Sequence, residues 1–350
     1  MPSLAELDRP ALSQLLRENG FAESHAEPLL RAFYAGCGKI DFARTNVGRK
    51  IQAWIFREIS GRLSTLGNAL RSADGTMKFL LRFPDGGAVE SVLMPGHRPD
   101  RAAGCVSSQI GCAMGCDFCA STRRGLERNL EAGEIVEQFL HLKAHAMGMG
   151  RRITSLVFMG MGEPMHNLDN VMAAIRRIAD PQMGALGWRQ ITVSTVGIVP
   201  GIDRLAEADL NVHLALSLHA PDDETRARIV PSNRRYPVAE IMSAARRFEA
   251  RTGRIPTIEY CMLAGINDSD EHARALCGLM SGFRAHVNLI PYNWSGAGLS
   301  GVTYRKPAEE RVQTFLGILR AANVVAHRRA TRGDDVNAAC GQLRETEFSG

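Results

Sequence analysis

The pattern of apolar and polar residues divides the chain into two unlike parts. Over the first 75 residues, apolar side chains recur every three or four positions, which is the spacing of an amphipathic helix. Three helices are predicted, in SLAELDRPALSQLLRENG, AEPLLRAFYAG and GRKIQAWIFREI. Ser3 is the expected cap of the first helix, and Gly20 is its expected end. We therefore predict a small helical accessory domain over residues 1–75.

A short stretch with the alternation of strands comes next. TMKFLLRFPDGGAVESVLMPG holds two strand-like runs around PDGG, whose Pro, Asp and Gly residues favour a tight turn. We predict a β-hairpin, which also serves as a linker, over residues 76–104.

From Cys105 onward, strand-like runs alternate with helical segments. The runs are CVSSQIG, SLVFMG, QITVST, VHLALSLH, PTIEYCML and HVNLIPYN. Helical patterns between them include EAGEIVEQFLHLKAHA, NLDNVMAAIRRIA and SDEHARALCGLMSGF. About six β/α units predict an α/β fold with a parallel sheet. Because a closed eight-stranded barrel usually needs ~250 residues, we predict an incomplete (β/α)6 barrel over residues 105–345.

Polar and glycine residues follow most of these runs, as in GMGEP, STVG, SLHAP and PYN. In a β/α barrel, the carboxyl ends of the strands line the active site. We therefore expect a single pocket to be lined by Gly162, Glu163, Ser194, Ser217, His219 and Asn293.

Composition limits the class of protein. Of the 350 residues, 45% are hydrophobic and 23% are charged, as in ordinary globular proteins. No run approaches the roughly 18 apolar residues of a membrane span, and the N-terminus lacks the basic and apolar regions of a secretion signal. We expect a cytoplasmic protein that does not associate with membranes. Since cytoplasmic thiols stay reduced, clustered cysteines indicate a metal site or catalysis more than structural disulfides.

The charge is mildly basic, with a formal net charge of +5. A basic excess suits nucleic-acid binding. Arginine supplies nearly all of it, and a GC-rich genome that favours Arg codons explains the excess equally well. Charge alone does not decide the partner.

Three cysteines with C-x3-C-x2-C spacing, Cys112, Cys116 and Cys119, are the strongest chemical signal. Structural zinc normally takes four protein ligands, and no fourth Cys or His nearby completes a typical finger. Three soft thiolates suit a [4Fe–4S] cluster that keeps one iron open for another ligand. Three unligated core cysteines at this density would be unusual in a reduced protein.

Phe118, just before the last of these cysteines, completes a pattern that resembles the radical S-adenosylmethionine (SAM) superfamily. This resemblance implies that the open iron binds the amino and carboxylate groups of SAM, which is then cleaved to a 5′-deoxyadenosyl radical. GMGEP is similar to a glycine-rich strand end of that superfamily. Glu163 there would accept a hydrogen bond from the SAM ammonium group, although GMGEP alone is also explained as an ordinary βα turn.

A longer series of motifs resembles the RlmN/Cfr family of radical SAM methyltransferases, which act on adenosine in RNA. The motifs occur in the family's order between about residues 88 and 345: CVSSQIGCAMGCDFC, RGLERNL, VFMGMGEPMHNLDNV, ITVSTVGIVP, LALSLHAPDDETRARIVPSN, IEYCMLAGINDSDEHA, VNLIPYN and RGDDVNAACGQL. The resemblance is closer to the RlmN branch. It implies carbon 2 of an adenosine in 23S ribosomal RNA as the target, with transfer RNA as a further candidate substrate.

The resemblance also implies roles for the matching residues. Cys112, Cys116 and Cys119 would bind the cluster. Contacts to SAM would come from Gly162, Glu163, Ser194, Ser217, Leu218, His219 and Asn293. Cys340, in RATRGDDVNAACGQL, would become S-methylated, Cys105 would resolve the intermediate, and Glu90, in AVESVLMP, would accept a proton.

The implied chemistry uses two SAM molecules per turnover, because carbon 2 of adenine is a poor nucleophile. One SAM would methylate the Cys340 thiolate, and the other would supply the radical that removes a hydrogen atom from this methyl group. The carbon would then join the RNA, and Glu90 would take the ring proton. Cys105 would release the product by forming a transient disulfide with Cys340. A donor such as a flavodoxin or ferredoxin would reduce the cluster.

RNA binding should require an unstacked target base, with contacts from arginines and from the N-terminal helices. Two groups of arginines are candidates, and each is equally explained as a solvated surface: Arg123 and Arg124 with Arg128, and Arg234 with Arg235.

Two alternatives remain open. A Cfr-like enzyme would methylate carbon 8, although GMGEP and RGDD favour the carbon 2 branch. A non-catalytic iron–sulfur or zinc module that binds RNA would require neither Cys105 nor Cys340.

Overall fold

The computed structural model describes residues 2–343 of the chain. In this range the α-helices are α1 (Arg9–Glu18), α2 (Ala26–Ala35), α3 (Arg49–Glu58), α4 (Ala132–Gly148), α5 (Leu168–Ala179), α6 (Val199–Glu207), α7 (Asp223–Ile229), α8 (Val238–Thr252), α9 (Asp270–Met280) and α10 (Glu309–Ala321). No helix in the described range combines the length and apolarity needed to cross a membrane.

The strands are β1 (Thr65–Arg71), β2 (Met77–Arg82), β3 (Ala88–Pro95), β4 (Arg101–Cys105), β5 (Gln109–Gly111), β6 (Leu126–Asn129), β7 (Arg152–Phe158), β8 (Ile191–Thr195), β9 (His213–Ser217), β10 (Thr257–Met262), β11 (His286–Pro291) and β12 (Ala326–Arg328). All except β5 and β6 form one sheet, in the order β1-β2-β3-β4-β7-β8-β9-β10-β11-β12. β5 and β6 pair with each other in a separate antiparallel ribbon.

The sheet changes character at β4. From β4 to β12, strands that are neighbours in the sheet run parallel. Each connection between two of these strands contains one α-helix, except that the connection from β9 to β10 contains both α7 and α8. Six crossovers between seven parallel strands confirm the predicted incomplete (β/α)6 barrel. The parallel arrangement brings the carboxyl ends of these strands to the same edge of the sheet.

The predicted hairpin is present and is continuous with the barrel. β2 and β3 pair around the PDGG turn, with Leu80 opposite Glu90, and β3 then pairs antiparallel with β4. The segment expected to act as a linker therefore belongs to the main sheet. The division into three domains stays a prediction.

Two expected elements differ from the structure. Residues 65–71 fall in the stretch predicted as helical, yet they form β1, an edge strand whose side chains are mostly exposed and therefore lack apolar alternation. The first parallel strand was expected in CVSSQIG, but it is β4, which ends at Cys105. After Cys105 the chain departs from the sheet to pair β5 with β6.

The first helix begins later than Ser3. Asp8 caps α1 by accepting a hydrogen bond from the Ala11 backbone N–H at 2.9 Å, and a proline lies in the first turn, where no N–H is needed. Ser3 instead donates its hydroxyl to the Gly61 carbonyl at 2.6 Å and to the buried Glu137 carboxylate on α4 at 3.1 Å. These contacts attach the start of the chain to the first barrel helix.

Candidate active site

The loop between β5 and β6 carries Cys112, Cys116 and Cys119. Its backbone is held on two sides, because the Cys112 N–H donates to the Gly125 carbonyl at 2.8 Å and the Asp117 N–H donates to the Ile229 carbonyl at 2.9 Å. All three thiols line one cavity of about 140 Å³, which we call the three-cysteine cavity. The complete lining is Cys112, Met114, Cys116, Phe118, Cys119, Ser121, Thr122, Met159, Gly160, Gly162, Glu163, Ser194, Thr195, Val196, Ser217, His219, Glu259, Cys261, Ile290, Arg329, Cys340 and Gly341.

Burial and the neighbouring thiols oppose ionisation of these cysteines. Burial, with a smaller contribution from the Cys119 thiol, raises the pKa of Cys112 to about 12. Burial followed by the Cys119 and Cys112 thiols raises the pKa of Cys116 well above its ordinary value. Three adjacent buried thiols become thiolates only beside a positively charged group, and thiolates are the donors that iron–sulfur clusters use.

The residues present therefore fit a [4Fe–4S] cluster by the chemistry of their donor set. A cluster binds each thiolate on a different iron, so its ligands lie farther apart than those of a single ion. Consistent with this, no group of three or more His, Cys, Asp or Glu side chains among the described residues is arranged to hold a single metal ion.

The opposite wall of the three-cysteine cavity comes from the carboxyl ends of three parallel strands. Gly162 and Glu163 follow β7, Ser194 lies near the end of β8, and Ser217 ends β9. Gly162 has a φ of +98°, and a Cβ there would lie 2.6 Å from the Gln109 side chain, so this position requires glycine.

Glu163 is a buried carboxylate with fixed partners. Its Oε1 accepts a hydrogen bond from the Met165 N–H at 3.0 Å, and its Oε2 accepts one from the Val196 N–H at 2.9 Å. Burial raises its pKa to about 7, against the lowering effect of these backbone hydrogen bonds. A carboxylate held in this way can accept further hydrogen bonds from a cationic ligand group.

His219 lines the same cavity in a strained and fixed conformation. Its φ is +62°, which is uncommon for a non-glycine residue. Its Nδ1 accepts a hydrogen bond from the Cys261 N–H at 3.0 Å, and its ring meets Phe118 edge-on at 5.0 Å. Burial lowers its pKa to about 3, so the ring is neutral at pH 7 and carries its proton on Nε2.

Two predicted SAM contacts lie elsewhere. Leu218 is buried and does not line the three-cysteine cavity, and its carbonyl accepts a hydrogen bond from Arg226 Nε at 2.8 Å. Asn293 lines a neighbouring space, where its Oδ1 accepts a hydrogen bond from the Thr331 hydroxyl at 3.0 Å. Asn293 lines this neighbouring space and not the three-cysteine cavity, so its convergence with the other five residues stays a prediction.

That neighbouring space, which we call the Cys105 recess, has a volume of about 650 Å³. Cys105 and Cys340 both line it, and Cys340 also lines the three-cysteine cavity. Both thiols are free. Burial and the nearby Cys340 thiol raise the pKa of Cys105 to about 12. The structure thus brings the two cysteines into one space.

The Cys105 recess is strongly basic. Its lining includes His97, Arg98, Arg101, Arg328, Arg329 and Arg332, and no carboxylate side chain is among the described residues that line it. A concave surface with this charge attracts polyanions.

Arg329 and Glu259 were missed in the sequence. Their side chains form an ion pair at 3.6 Å, and Asn288 donates a hydrogen bond to the other Glu259 oxygen at 3.1 Å. Arg329 lines both spaces, and the Cys340 thiol, ahead of Glu259 and Cys105, raises its pKa. The sequence does contain one indication that Glu259 is functional, because it is the only charged residue in the apolar run PTIEYCML.

Glu90 lines neither space. It forms a buried ion pair with Lys78, with 2.9 Å between Nζ and Oε1 and side-chain exposures of 1% for Lys78 and 0% for Glu90. Lys78 also donates a hydrogen bond to the Asn337 carbonyl at 3.2 Å, three residues before Cys340. Glu90 is thereby linked to the loop of Cys340 through Lys78.

The two candidate arginine groups differ in whether their guanidinium groups are already engaged by other protein groups. Arg128 is neutralised by ion pairs to Asp85 at 2.6 Å and Glu134 at 2.7 Å. Arg123 is used inside the protein, where it donates to the Ser295 and Ala297 carbonyls. Arg234 and Arg235 are exposed.

Comparison with known proteins agrees with this geometry. The model of the radical SAM superfamily matches residues 106–277. A protein of Opitutus terrae named a probable dual-specificity RNA methyltransferase RlmN is 53% identical, over 98% of this chain and 97% of the relative. A protein of Thermus thermophilus with that name is 43% identical, over 94% of this chain and 92% of the relative. The crystal structure of a radical SAM methyltransferase from Sphaerobacter thermophilus has a TM-score of 0.92 and 41% identity, over 98% and 99% of the two chains.

The fold and the three-cysteine cavity thus define a radical SAM enzyme. Within that superfamily, the chain belongs to the RlmN family of radical SAM methyltransferases. Membership of this family confirms the prediction of an enzyme over the non-catalytic alternative, and family members of this type use a [4Fe–4S] cluster and SAM.

Proposed function

We propose that this enzyme methylates carbon 2 of an adenosine in 23S ribosomal RNA, with transfer RNA as a second substrate, through an S-methylcysteine on Cys340. The observation that carries the proposal is the position of Cys340 between two unlike spaces. One space is suited to a cluster and SAM, and the other is suited to a polyanion.

Cys112, Cys116 and Cys119 would hold the cluster. Gly162, Glu163, Ser194, Ser217 and His219 would contact SAM from the opposite wall, Leu218 would contribute through its backbone, and Asn293 would reach it from the Cys105 recess. When bound, these groups supply a methyl cation equivalent and, after one-electron reduction, a radical that abstracts hydrogen.

Cys340 would act first as a nucleophile. Its thiolate would attack the methyl carbon of one SAM and become a thioether, with S-adenosylhomocysteine as the leaving group, while the thiol proton passes to solvent. The Arg329 side chain lines both spaces together with this thiol and contributes a positive charge there. Because Cys340 borders both spaces, the same sulfur can receive a methyl group from one side and present it to RNA on the other.

Cys105 would act last. Once the carbon bridges the Cys340 sulfur and the base, Glu90 would take the proton from the ring carbon as the odd electron of the adduct leaves to an acceptor such as the oxidised cluster. The ion pair with Lys78 would stabilise the Glu90 carboxylate beforehand. The Cys105 thiolate then attacks the Cys340 sulfur, the S–C bond breaks, and the released carbon takes a proton to become the methyl group. A thiol or dithiol reductant must then reopen the Cys105–Cys340 disulfide before another turnover.

Mass spectrometry of ribosomal and transfer RNA nucleosides, from cells with and without the gene, tests the proposal. We expect 2-methyladenosine to disappear from 23S ribosomal RNA when the gene is deleted. Loss of 8-methyladenosine instead would identify the Cfr-like activity, and unchanged nucleosides in both RNA pools would reject RNA methylation at adenosine.

A further inference from the structure

The loop between β11 and α10 exposes large apolar side chains beside the Cys105 recess. Trp294 is 63% exposed, Leu299 56% and Val302 44%. Tryptophan is highly buried on average in folded proteins. Tryptophan is also enriched at interfaces, where its ring can contact a partner.

This loop is fixed rather than loose. The Asp117 carboxylate accepts hydrogen bonds from the Ser300 N–H at 2.8 Å, the Ser300 hydroxyl at 2.5 Å and the Tyr304 hydroxyl at 2.5 Å. The Ser295 hydroxyl donates to the Phe118 carbonyl at 2.8 Å. Since Asp117 and Phe118 lie between two of the three clustered cysteines, the loop is fastened to the wall of the three-cysteine cavity.

Trp294 also touches the loop of Cys340. Its carbonyl accepts a hydrogen bond from Gln342 Nε2 at 2.9 Å, and Gln342 lies two residues after Cys340. The residue before it, Asn293, lines the Cys105 recess. The exposed indole therefore stands on a rigid support next to the opening through which a substrate must reach Cys340.

We infer that Trp294 is a stacking platform for an unpaired base of the RNA substrate, next to the adenosine that enters the Cys105 recess. This inference rests on the proposed function. A base taken out of its stack leaves its neighbours without a stacking partner, and a tryptophan face accepts any base. The guanidinium groups of Arg98 and Arg332 in the same recess complement the phosphates of such a strand.

The test uses the full-length, cluster-loaded enzyme and an RNA hairpin with unpaired adenosines in its loop. Trp294→Ala should raise KM for this RNA about 5- to 150-fold, the range expected when one base–aromatic stack is removed, with little change in kcat. Trp294→Phe keeps a stacking ring and should restore most of the affinity. Leu299→Ala removes a comparably exposed apolar group from the same loop and should leave KM unchanged.

Two further measurements separate the possible outcomes. Methylation of Cys340 by SAM without RNA should be equal in wild type and Trp294→Ala. RNA should quench the tryptophan emission of the wild type, since Trp294 is the only large exposed indole among the described residues, and this quenching should disappear in Trp294→Phe.

The platform is overturned if the wild type methylates the hairpin and Trp294→Ala has the same KM. It is also overturned if Trp294→Ala raises KM for a reduced flavodoxin and leaves KM for RNA unchanged, because the surface would then serve a protein donor. Failure of the wild type to bind or methylate RNA would reject the proposed function and the platform together.

Discussion

The two spaces that meet at Cys340 differ in size, polarity and charge. The three-cysteine cavity measures about 140 Å³ and is lined by thiols, glycines, hydroxyls and the carboxyl groups of Glu163 and Glu259. The Cys105 recess measures about 650 Å³, and its described lining carries five arginines without a carboxylate. One suits soft cationic groups, and the other suits an anionic polymer.

This difference explains how one barrel can combine radical chemistry with a large substrate. A radical precursor needs a site that excludes competing reactions, whereas RNA needs a large basic surface. Cys340 and Arg329 belong to both spaces, so a single sulfur can connect them. The predictions below test this division, starting with the largest effect.

Replacement of Cys340 should abolish RNA methylation and leave the cluster site intact. Cys340→Ala should lower RNA methylation by on the order of 10³-fold or more, because no sulfur remains to carry the methyl group. Iron and sulfide content after anaerobic purification should stay at the wild-type level, since the cluster thiols are untouched.

Cys277→Ala is the matched control, because Cys277 lies on α9 and lines neither space. It should retain activity. Loss of iron in Cys340→Ala would show instead that Cys340 supports the cluster and that the two spaces are not separable.

The Lys78–Glu90 pair tests whether Glu90 is a proton acceptor or only an anchor for the Cys340 loop. Glu90→Gln should lower turnover by about 10²- to 10⁴-fold if Glu90 is the base. It should also destabilise the fold, because removal of one partner from a buried ion pair costs about 3–5 kcal/mol. Thermal unfolding measures the second effect independently of the first.

The double variant Lys78→Met with Glu90→Met distinguishes the two roles. An apolar pair of similar volume should recover much of the stability. If turnover recovers along with stability, Glu90 is an anchor; if turnover stays low in a stable protein, the proton-acceptor role holds.

Arg329 should tune the reactivity of the shared sulfur. Arg329→Met removes a positive charge that lines both spaces and should slow alkylation of Cys340 several-fold, because reactive cysteines need electropositive surroundings. Methylation of RNA should fall in parallel. Arg329→Lys retains the charge and should slow alkylation less.

The rate of iodoacetamide modification of Cys340 at pH 7, followed by peptide mass spectrometry, measures this effect. An unchanged rate in Arg329→Met would mean that Arg329 serves only as the partner of Glu259.

The smallest effect is expected at the surface of the recess. Arg98→Ala and Arg332→Ala should each weaken RNA binding a few-fold and reduce the slope of log K against log salt by about 0.7 for each RNA phosphate that is no longer neutralised. Arg251→Ala, at an exposed position on α8, is the control and should leave the slope unchanged. Equal slopes in all three variants would contradict RNA binding at the recess.

Much of the barrel could be predicted from the sequence, because buried parallel strands appear as apolar runs with polar residues at their carboxyl ends. This pattern located Glu163, Ser194 and Ser217 on one wall. It did not indicate the contact of Asn293 with Thr331, nor that Asp117 and Arg123 hold the chain after β11 through hydrogen bonds to Ser300 and Ser295. That anchoring is invisible in a hydrophobic pattern.

The contacts of the candidate catalytic residues Glu90, Cys105 and Cys340 could not be predicted from the sequence pattern either. Lys78 and Glu90 lie on adjacent strands as diagonal neighbours, since Leu80 is opposite Glu90 and Lys78 is opposite Val92. Their pairing follows from strand register, which the sequence does not specify by itself. The proximity of Cys105 and Cys340 was expected only from the family resemblance, because residues so far apart in sequence meet through the complete barrel.

In the proposed mechanism, Cys105 releases RNA from a covalent bond to Cys340. Intact mass spectrometry under denaturing conditions tests this step directly, with Cys105→Ala that has reacted with SAM, reductant and RNA. We expect a stable adduct of one RNA per protein, linked at Cys340 through a single carbon. Sustained turnover by Cys105→Ala without any adduct would contradict it.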